Sequence, residues 1–383
     1  MKRARILLPV ACAAVLVAGL VWRQGPGDAA RRAVAVGQVR DEVRRFDAAL
    51  LPGGAPSPLT LRLAPGESIL YRYESETRIA VDLGRGSGTG RDTTRRVSGM
   101  LVITSYAGPE PLVLGVRLEG LQVSYEGVPD ADIERNGGLE WLLVLSSSGR
   151  LRETWFPREM GTTTRAFARS LVSHVALALP ESASDRWETE EIDATGRFVA
   201  RYAVDRLVAD GRPFARVTRE KSAYSELLAI GVPAREAHGE ASGATRGLLD
   251  VEAGCWRSVD VEEETRVTGC LDVRSSVRAA AVLSSRRTGD ATSAAKRLGE
   301  IRASADRLGP LDPIPLDSLV REVAERSLRE MASGQSVEGL TAELTRFAAA
   351  GQGDSAEAYQ AWSRLAALFS IDPSSVARAR ALL

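Results

Sequence analysis

The stretch TTTRAFARSLVSHVALAL, residues 162–179, decides the fold of this chain. After Arg169 it carries no formal charge, and small or apolar side chains would occupy every face of a helix. Its three leading threonines offer N-cap oxygens to free backbone N–H groups, and Pro180, which follows it, cannot continue a helix. A helix that is apolar nearly all round is a buried helix. The pattern therefore predicts a buried helix over residues 162–179.

The sequence on both sides of this helix has the alternation of β-strands. Between residues 59 and 283, apolar and polar residues alternate, and Gly, Pro and Asp punctuate the runs. A barrel that holds a helix needs more than the roughly eight strands that side chains alone can fill, and the pattern predicts about ten to twelve. We therefore expect an α+β, mainly β fold. Residues 58–288 would form an antiparallel β-barrel or a strongly curved sheet around the helix.

The N-terminus has the layout of an export signal. Lys2, Arg3 and Arg5 precede an apolar run over residues 6–22, which is slightly shorter than the roughly 20 residues of a full span. We interpret residues 1–27 as a signal anchor, with a cleaved signal peptide as the alternative. The protein would then be exported, either anchored in the inner membrane and facing the periplasm or secreted.

Two further segments are predicted to be helical. Residues 28–57 combine an amphipathic helix with a Pro/Gly linker, and the helix is either a spacer or docks on the next domain. Beyond residue 287 the alternation stops, and residues 289–383 read as helices like the start of an α-solenoid, with residues 291–308 as the first. The chain ends in ALL without a polar cap, which fits either a fragment or an end that packs on another subunit.

The composition excludes several classes of function. The net charge is zero, which argues against a nucleic-acid binder. Glycines at residues 84–90 lead into a strand, so a hairpin loop is favoured over a phosphate loop. The acidic run at residues 260–264 is interpreted as the solvated face of a strand.

No catalytic, cofactor-binding or metal-binding residue is predicted. The two histidines, His174 and His238, stand alone, and His174 in the apolar helix is interpreted as a structural residue. Of the three cysteines, Cys12 lies in the N-terminal apolar run, and Cys255 and Cys270 would form a disulfide in an exported chain only if their Cα atoms came within about 7 Å. A turn at residues 268–269 would instead hold the two apart. We therefore expect no cofactor and no enzymatic activity.

The order of these elements resembles that of a known family. The residues that carry the resemblance are Tyr71 and Tyr73 in the first long strand, TWFP at residues 154–157, the buried helix, and DATGRFVARY at residues 193–202. The chain from residue 59 onward resembles the N-terminal module of the large lipid transfer proteins, namely vitellogenin, microsomal triglyceride transfer protein and apolipoprotein B. The resemblance implies a β-barrel around a central helix, followed by a horseshoe of paired helices. In that family the barrel mainly contacts proteins and receptors, whereas the lipid cavity lies further along the chain, so no family site residue transfers to this chain.

These observations together predict a non-catalytic, exported protein that binds or transports a lipid or another apolar ligand. We expect a protein partner as well, no nucleic acid, and attachment to the membrane through the N-terminal segment. The alternative is an envelope scaffold or protein-interaction module without a ligand. A hydrolase with an unrecognised site ranks below both.

Overall fold

The computed structural model describes residues 37–53, 58–82, 91–108, 110–125, 127–180, 184–193, 195–227, 238–268, 272–309, 334–352, 355–371, 376, 378 and 379. Residues 37–309 of this set belong to one compact unit and residues 334–379 to another. The predicted signal segment and Cys270 lie outside the described residues. In the part of the chain that is described, no helix is long and apolar enough to cross a membrane.

The described residues of the first unit form one antiparallel sheet of fourteen strands. In chain order the strands are β1 (Leu51–Pro52), β2 (Ser68–Asp82), β3 (Arg91–Ala107), β4 (Leu112–Tyr125), β5 (Val128–Pro129), β6 (Trp141–Leu145), β7 (Leu151–Pro157), β8 (Arg186–Ile192), β9 (Gly196–Ala209), β10 (Arg212–Leu227), β11 (His238–Asp250), β12 (Cys255–Thr268), β13 (Asp272–Arg287) and β14 (Ala305–Leu308). Their hydrogen-bonded order is β1-β9-β10-β11-β12-β13-β2-β3-β4-β6-β7-β14, with β5 paired to β4 and β8 to β9.

The described strands do not close into a barrel. One end of the sheet is formed by β8 and β1, which both pair with β9, and the other end by β14, which pairs with β7. Of the two predicted architectures, the closed barrel is therefore wrong and the curved sheet around a helix is confirmed. No hydrogen-bonded ladder joins β7 to β8 in the described chain, and the connection between them runs through a helix.

That helix is α3 (Thr162–Val175), which follows the short helices α1 (Gln38–Ala48) and α2 (Ala131–Asn136) in the chain. None of its residues is exposed, and the most buried ones are Thr164, Phe167, Ala168, Leu171, Val172 and His174. Several of them share one apolar core with side chains of β2, β3, β4, β6, β7, β12 and β13. The predicted buried helix is confirmed, and the sheet wraps around it.

Both ends of α3 differ from the prediction. Its N-cap is Gly161, which makes no side-chain capping bond, so the predicted threonine cap is wrong. The helix ends at Val175 instead of residue 179, because Ala176 adopts an extended conformation. The segment after it finds other partners: the N–H of Ala178 donates to Tyr202 Oη at 3.1 Å, and the next N–H donates to the Ser148 carbonyl at 2.7 Å.

Helix α1 docks on the outer face of the sheet and is not a free spacer. Val39 and Val43 pack against β13. Glu74 of β2 accepts hydrogen bonds from the first free N–H groups of the helix, those of Gly37 and Arg40, at 2.8 and 3.0 Å. A carboxylate at this position accepts hydrogen bonds from backbone N–H groups that have no partner within the helix, and its negative charge interacts favourably with the positive end of the helix dipole.

The chain after β13 is helical only in part. Helix α4 (Ala291–Ser304) is capped by Asp290, whose carboxylate accepts from the N–H of Ser293 at 2.6 Å. The helix predicted over residues 291–308 is wrong in its last four residues, since β14 pairs with β7 there. In the second unit, α5 (Val337–Ala349) and α6 (Ala356–Ile371) pack through a small apolar core. The predicted domain limits at residues 57, 288 and 383 stay predictions.

Candidate functional site

A cavity of about 150 Å³ lies between the two ends of the open sheet. Its walls come from β7 and the turn before it, from the C-terminal end of α3, from β8 and the turn that follows, and from one residue each of β9 and β10. We call this space the seam cavity. It exists because the chain crosses from β7 to β8 through α3 and an extended segment, so the two strands are not hydrogen-bonded to each other.

The walls of the seam cavity combine three kinds of side chain. Its apolar side chains are those of Leu151, Val172, Ala176, Ala178, Ile192 and Phe198. Its basic side chains are those of Arg150, Arg169 and Arg219. Its acidic side chains are those of Glu190, Glu191 and Asp193. The cavity can therefore contact both an apolar group and a charged or polar group.

Arg219 of β10 ties the C-terminal end of α3 to the sheet. Its side chain is only 2% exposed. It donates to the carbonyls of Ser173 and Ala176, both at 3.0 Å, and to Glu263 Oε1 of β12, also at 3.0 Å. The last carbonyls of a helix lack helical partners, and a cation there is favourable. Burial alone would lower the pKa of Arg219, but Glu263, Tyr202 and Glu191 together outweigh it and the pKa is raised.

A second buried cation, Lys221, lies two residues further along β10. Its Nζ is 2.9 Å from Asp193 Oδ2 and 2.5 Å from Glu263 Oε2, and the three side chains are 5–6% exposed. The phenol of Tyr224 also donates to Asp193 Oδ2, at 2.8 Å. A register shift in β10 between Lys221 and Tyr224 brings both side chains to the interior, where regular alternation would place them on opposite faces.

The two carboxylates of this cluster are held ionised. Burial would raise the pKa of Glu263, but Lys221 and Arg219 together outweigh it and hold the pKa far below the usual range. The pKa of Asp193 is lowered in the same way, chiefly by Lys221 against the effect of burial. The pKa of Lys221 is raised, because Asp193 and Glu263 outweigh the cost of burying an ammonium group. The cluster is therefore a network of ions inside the protein.

His174 of α3 faces the same network but stays neutral. Burial, together with the cations Lys221, Arg95 and Arg219, lowers the pKa of His174 to about 3, although Glu263 acts in the opposite direction. Its Nδ1 is buried and makes no hydrogen bond within the protein. The histidine is buried as predicted, but the expectation of a structural histidine with satisfied hydrogen bonds does not hold at Nδ1.

The other residues considered in the sequence lie apart from this network. His238 is exposed at the start of β11. Cys255 is a buried free thiol at the start of β12, and burial and Asp250 raise its pKa to about 11, so it is protonated at neutral pH. In the part of the chain that the structure describes, no group of three His, Cys, Asp or Glu residues is placed to hold a metal ion.

A wider depression of about 780 Å³ lies elsewhere on the sheet, and ten of its fourteen lining residues are charged or carry a hydroxyl group. These residues belong to β2, β3 and β10–β13.

Sequence reasoning missed the buried ion network. The acidic run at residues 260–264 was predicted to be solvated. This holds for Glu262 and Glu264 but is wrong for Glu263, with a side chain 6% exposed, and for Asp260, which is buried and paired with Arg40 of α1. The signal that was missed is which residues of β10 point inward when inward and outward side chains alternate along the strand. Residues two apart share one face of a strand, so Arg219 and Lys221 follow the buried Val217 on the inner face of β10.

No protein-family model matches the sequence, and no curated protein does either. Among solved structures, the chain is similar to lipovitellin, from a structure describing lipid–protein interactions, at 12% identity and a TM-score of 0.49. That similarity covers 81% of this chain, which spans 37% of the lipovitellin chain.

Two other similarities are lower still. DynF from the dynemicin biosynthesis pathway of Micromonospora chersina has 12% identity and a TM-score of 0.16, covering 66% of this chain and 92% of DynF. Ail, the attachment invasion locus protein of Yersinia pestis, has 9% identity and a TM-score of 0.13, covering 58% of this chain and 100% of Ail. At these TM-scores none of the three decides the function of this chain.

Proposed function

We propose that this protein binds a lipid or another ligand with an apolar part, without catalysing a reaction on it, and that the seam cavity holds one end of that ligand. The supporting observation is the lining of the cavity, where apolar side chains such as Val172 and Phe198 lie beside guanidinium groups such as Arg169. Small-molecule sites combine apolar walls with polar groups that fix the orientation of the ligand, and six apolar and six charged side chains line this cavity.

The size of the seam cavity limits what it can hold. Its volume of about 150 Å³ is below the roughly 300–1,000 Å³ of sites that enclose a whole drug-sized ligand. A cavity of that size does hold a group as large as a benzene ring. The remainder of a lipid would therefore extend out of the cavity between β7 and β8.

A scaffold that binds only proteins is the second candidate. Such a surface is expected to expose a contiguous apolar patch of several hundred Å². In the described residues of the first unit, the large apolar side chains that are exposed are Leu51 and Val199. Leu51 lies beside Val208, nine residues along β9 from Val199 and hence about 30 Å away, so the two do not form one patch. In the first unit this favours ligand binding, and the exposed Trp362 and Val376 of the second unit offer apolar contacts to a partner protein that receives the ligand.

Export is part of the same proposal. It rests on the basic residues Lys2, Arg3 and Arg5 and the apolar run that follows them. Residues 1–27 fused to a reporter should carry it across the membrane. A reporter that stays in the cytoplasm would refute export but would leave ligand binding untouched.

The test of ligand binding compares three proteins purified in the same way. Ala176→Phe places an aromatic ring in the seam cavity, and Ala203→Phe places one on an exposed position of β9 as the control. Mass spectrometry of organic extracts should find a stoichiometric amphiphile with the wild type and with Ala203→Phe, and much less with Ala176→Phe. Equal amounts from all three would refute binding in the cavity, and empty extracts after incubation with lipid vesicles would refute ligand binding.

A further inference from the structure

The buried side chains of Lys221, Asp193 and Glu263 have the arrangement needed for a self-formed covalent cross-link. Nζ of Lys221 lies 2.9 Å from Asp193 Oδ2 and 2.5 Å from Glu263 Oε2. We propose that Lys221 and Asp193 condense to an amide bond inside the folded protein and that Glu263 carries one of the two protons. This inference does not depend on the proposed ligand.

The reacting groups are already in contact. The carbon that Lys221 would attack is bonded to the carboxylate oxygen 2.9 Å from its nitrogen, which places the reacting atoms near the roughly 3–3.5 Å of a near-attack geometry. The ring of Phe198 lies 5.0 Å from the same nitrogen and covers the site with an apolar surface.

The turn between β8 and β9 holds Asp193 as an electrophile. Its Oδ1 accepts hydrogen bonds from the backbone N–H groups of Thr195 and Gly196, at 2.7 and 3.0 Å. In a tetrahedral intermediate this oxygen would carry the negative charge, and two fixed backbone donors stabilise such an oxyanion. The other oxygen, Oδ2, receives a hydrogen bond from Tyr224 Oη at 2.8 Å and is the one that would leave.

The atoms of the reaction balance without a co-reactant. One proton of the Lys221 ammonium group passes directly to Oδ2 of Asp193, to which the group is hydrogen-bonded, and this leaves an amine and a carboxylic acid. The nitrogen lone pair attacks Cγ and forms the Nζ–Cγ bond. Glu263 takes a second proton from this nitrogen and delivers it to Oδ2, the Cγ–Oδ2 bond breaks, and the oxygen departs as water. One ammonium and one carboxylate thus become one amide and one water molecule.

The surrounding charges make this change tolerable. A buried ion pair is costly in desolvation, and the amide removes one charge of each sign. Glu263 keeps its partners afterwards, since its Oε1 accepts from Arg219 at 3.0 Å and from Thr245 at 2.6 Å. Because Lys221 and Asp193 rest as ions, the condensation is a slow event that occurs once in each molecule. It would fasten the turn between β8 and β9 to β10, beside the seam cavity.

Mass spectrometry of the full-length chain tests the proposal. A digest should contain a branched peptide that joins Asp193 to Lys221 and is lighter than its two parts by one water molecule. The chain has three lysines, at positions 2, 221 and 296, so amine labelling in denaturant gives a second readout. Lys296 should be labelled and Lys221 should not.

Variants assign the roles. The Lys221→Met and Glu263→Gln proteins should each have the full mass of their sequence, without the loss of one water molecule. The control Lys296→Met should show the same loss as the wild type. A folded wild-type chain whose peptides carry separate Asp193 and Lys221, with Lys221 labelled as fully as Lys296, would overturn the proposal. The three side chains would then be an ion network only. Because the wild-type chain alone distinguishes the cross-link from the ion network, a variant that fails to fold leaves that result unchanged.

Discussion

The neutral state of His174 predicts a loss of stability in mildly acidic solution. The pKa of His174 falls from the ordinary 6.5 to about 3, chiefly because the side chain is buried. The cations Lys221, Arg95 and Arg219 lower the pKa further, whereas Glu263 acts to raise it. Because the folded pKa is the lower one, the unfolded chain binds the extra proton, and stability is lost as the pH falls below 6.5. Each unit of difference between the folded and unfolded pKa corresponds to about 1.4 kcal/mol of stability. The free energy of unfolding should therefore drop by about 2 kcal/mol between about pH 7.5 and about pH 5.

Urea unfolding followed by tryptophan fluorescence measures this loss. The window lies above the ordinary values of the buried carboxylates, 4.5 for Glu263 and 3.8 for Asp193, so their protonation contributes little. His174→Gln should abolish the loss, whereas His238→Gln, which removes the other histidine of the chain, should retain it. Since each variant is compared with itself at two pH values, a change in its absolute stability does not matter. A His174→Gln protein that still loses about 2 kcal/mol would refute the reasoning.

Three further substitutions test the fold. Leu171→Asp places an unpaired charge in the core around α3, where Leu171 is 2% exposed, and should cost about 4 kcal/mol or more in urea unfolding; unchanged unfolding would disprove the central position of the helix. Glu74→Ala removes the carboxylate that caps α1, and amide hydrogen exchange over residues 38–48 should accelerate; unaltered protection would show that this cap does not stabilise α1. Asp130→Ala removes the acceptor for the N–H of Ile133 at the start of α2 and should cost about 1 kcal/mol; a stability equal to that of the wild type would argue against this cap.

The buried helix and most strands follow from local patterns in the sequence. The apolar side chains of α3, such as Phe167, Leu171 and Val172, require burial wherever the helix lies. The hairpin of β6 and β7 and the turn that leads into β9 follow in the same way from alternation and turn residues. These features depend on neighbours within a few residues, which the sequence shows directly.

The seam cavity and the ion network were decided by contacts between distant parts of the chain. Arg219 and Glu263 are 44 residues apart, and Lys221 and Asp193 are 28 apart. Charged side chains on an inner strand face are stable only when an opposite charge meets them there, and the alternation of one strand does not reveal its partner. The end of α3 at Val175 also depends on a distant residue, since Arg219 donates hydrogen bonds to the carbonyls of Ser173 and Ala176 at the end of the helix. Local periodicity therefore determined which elements form, whereas tertiary pairing decided that the sheet stays open, where the helix ends and which charges are buried.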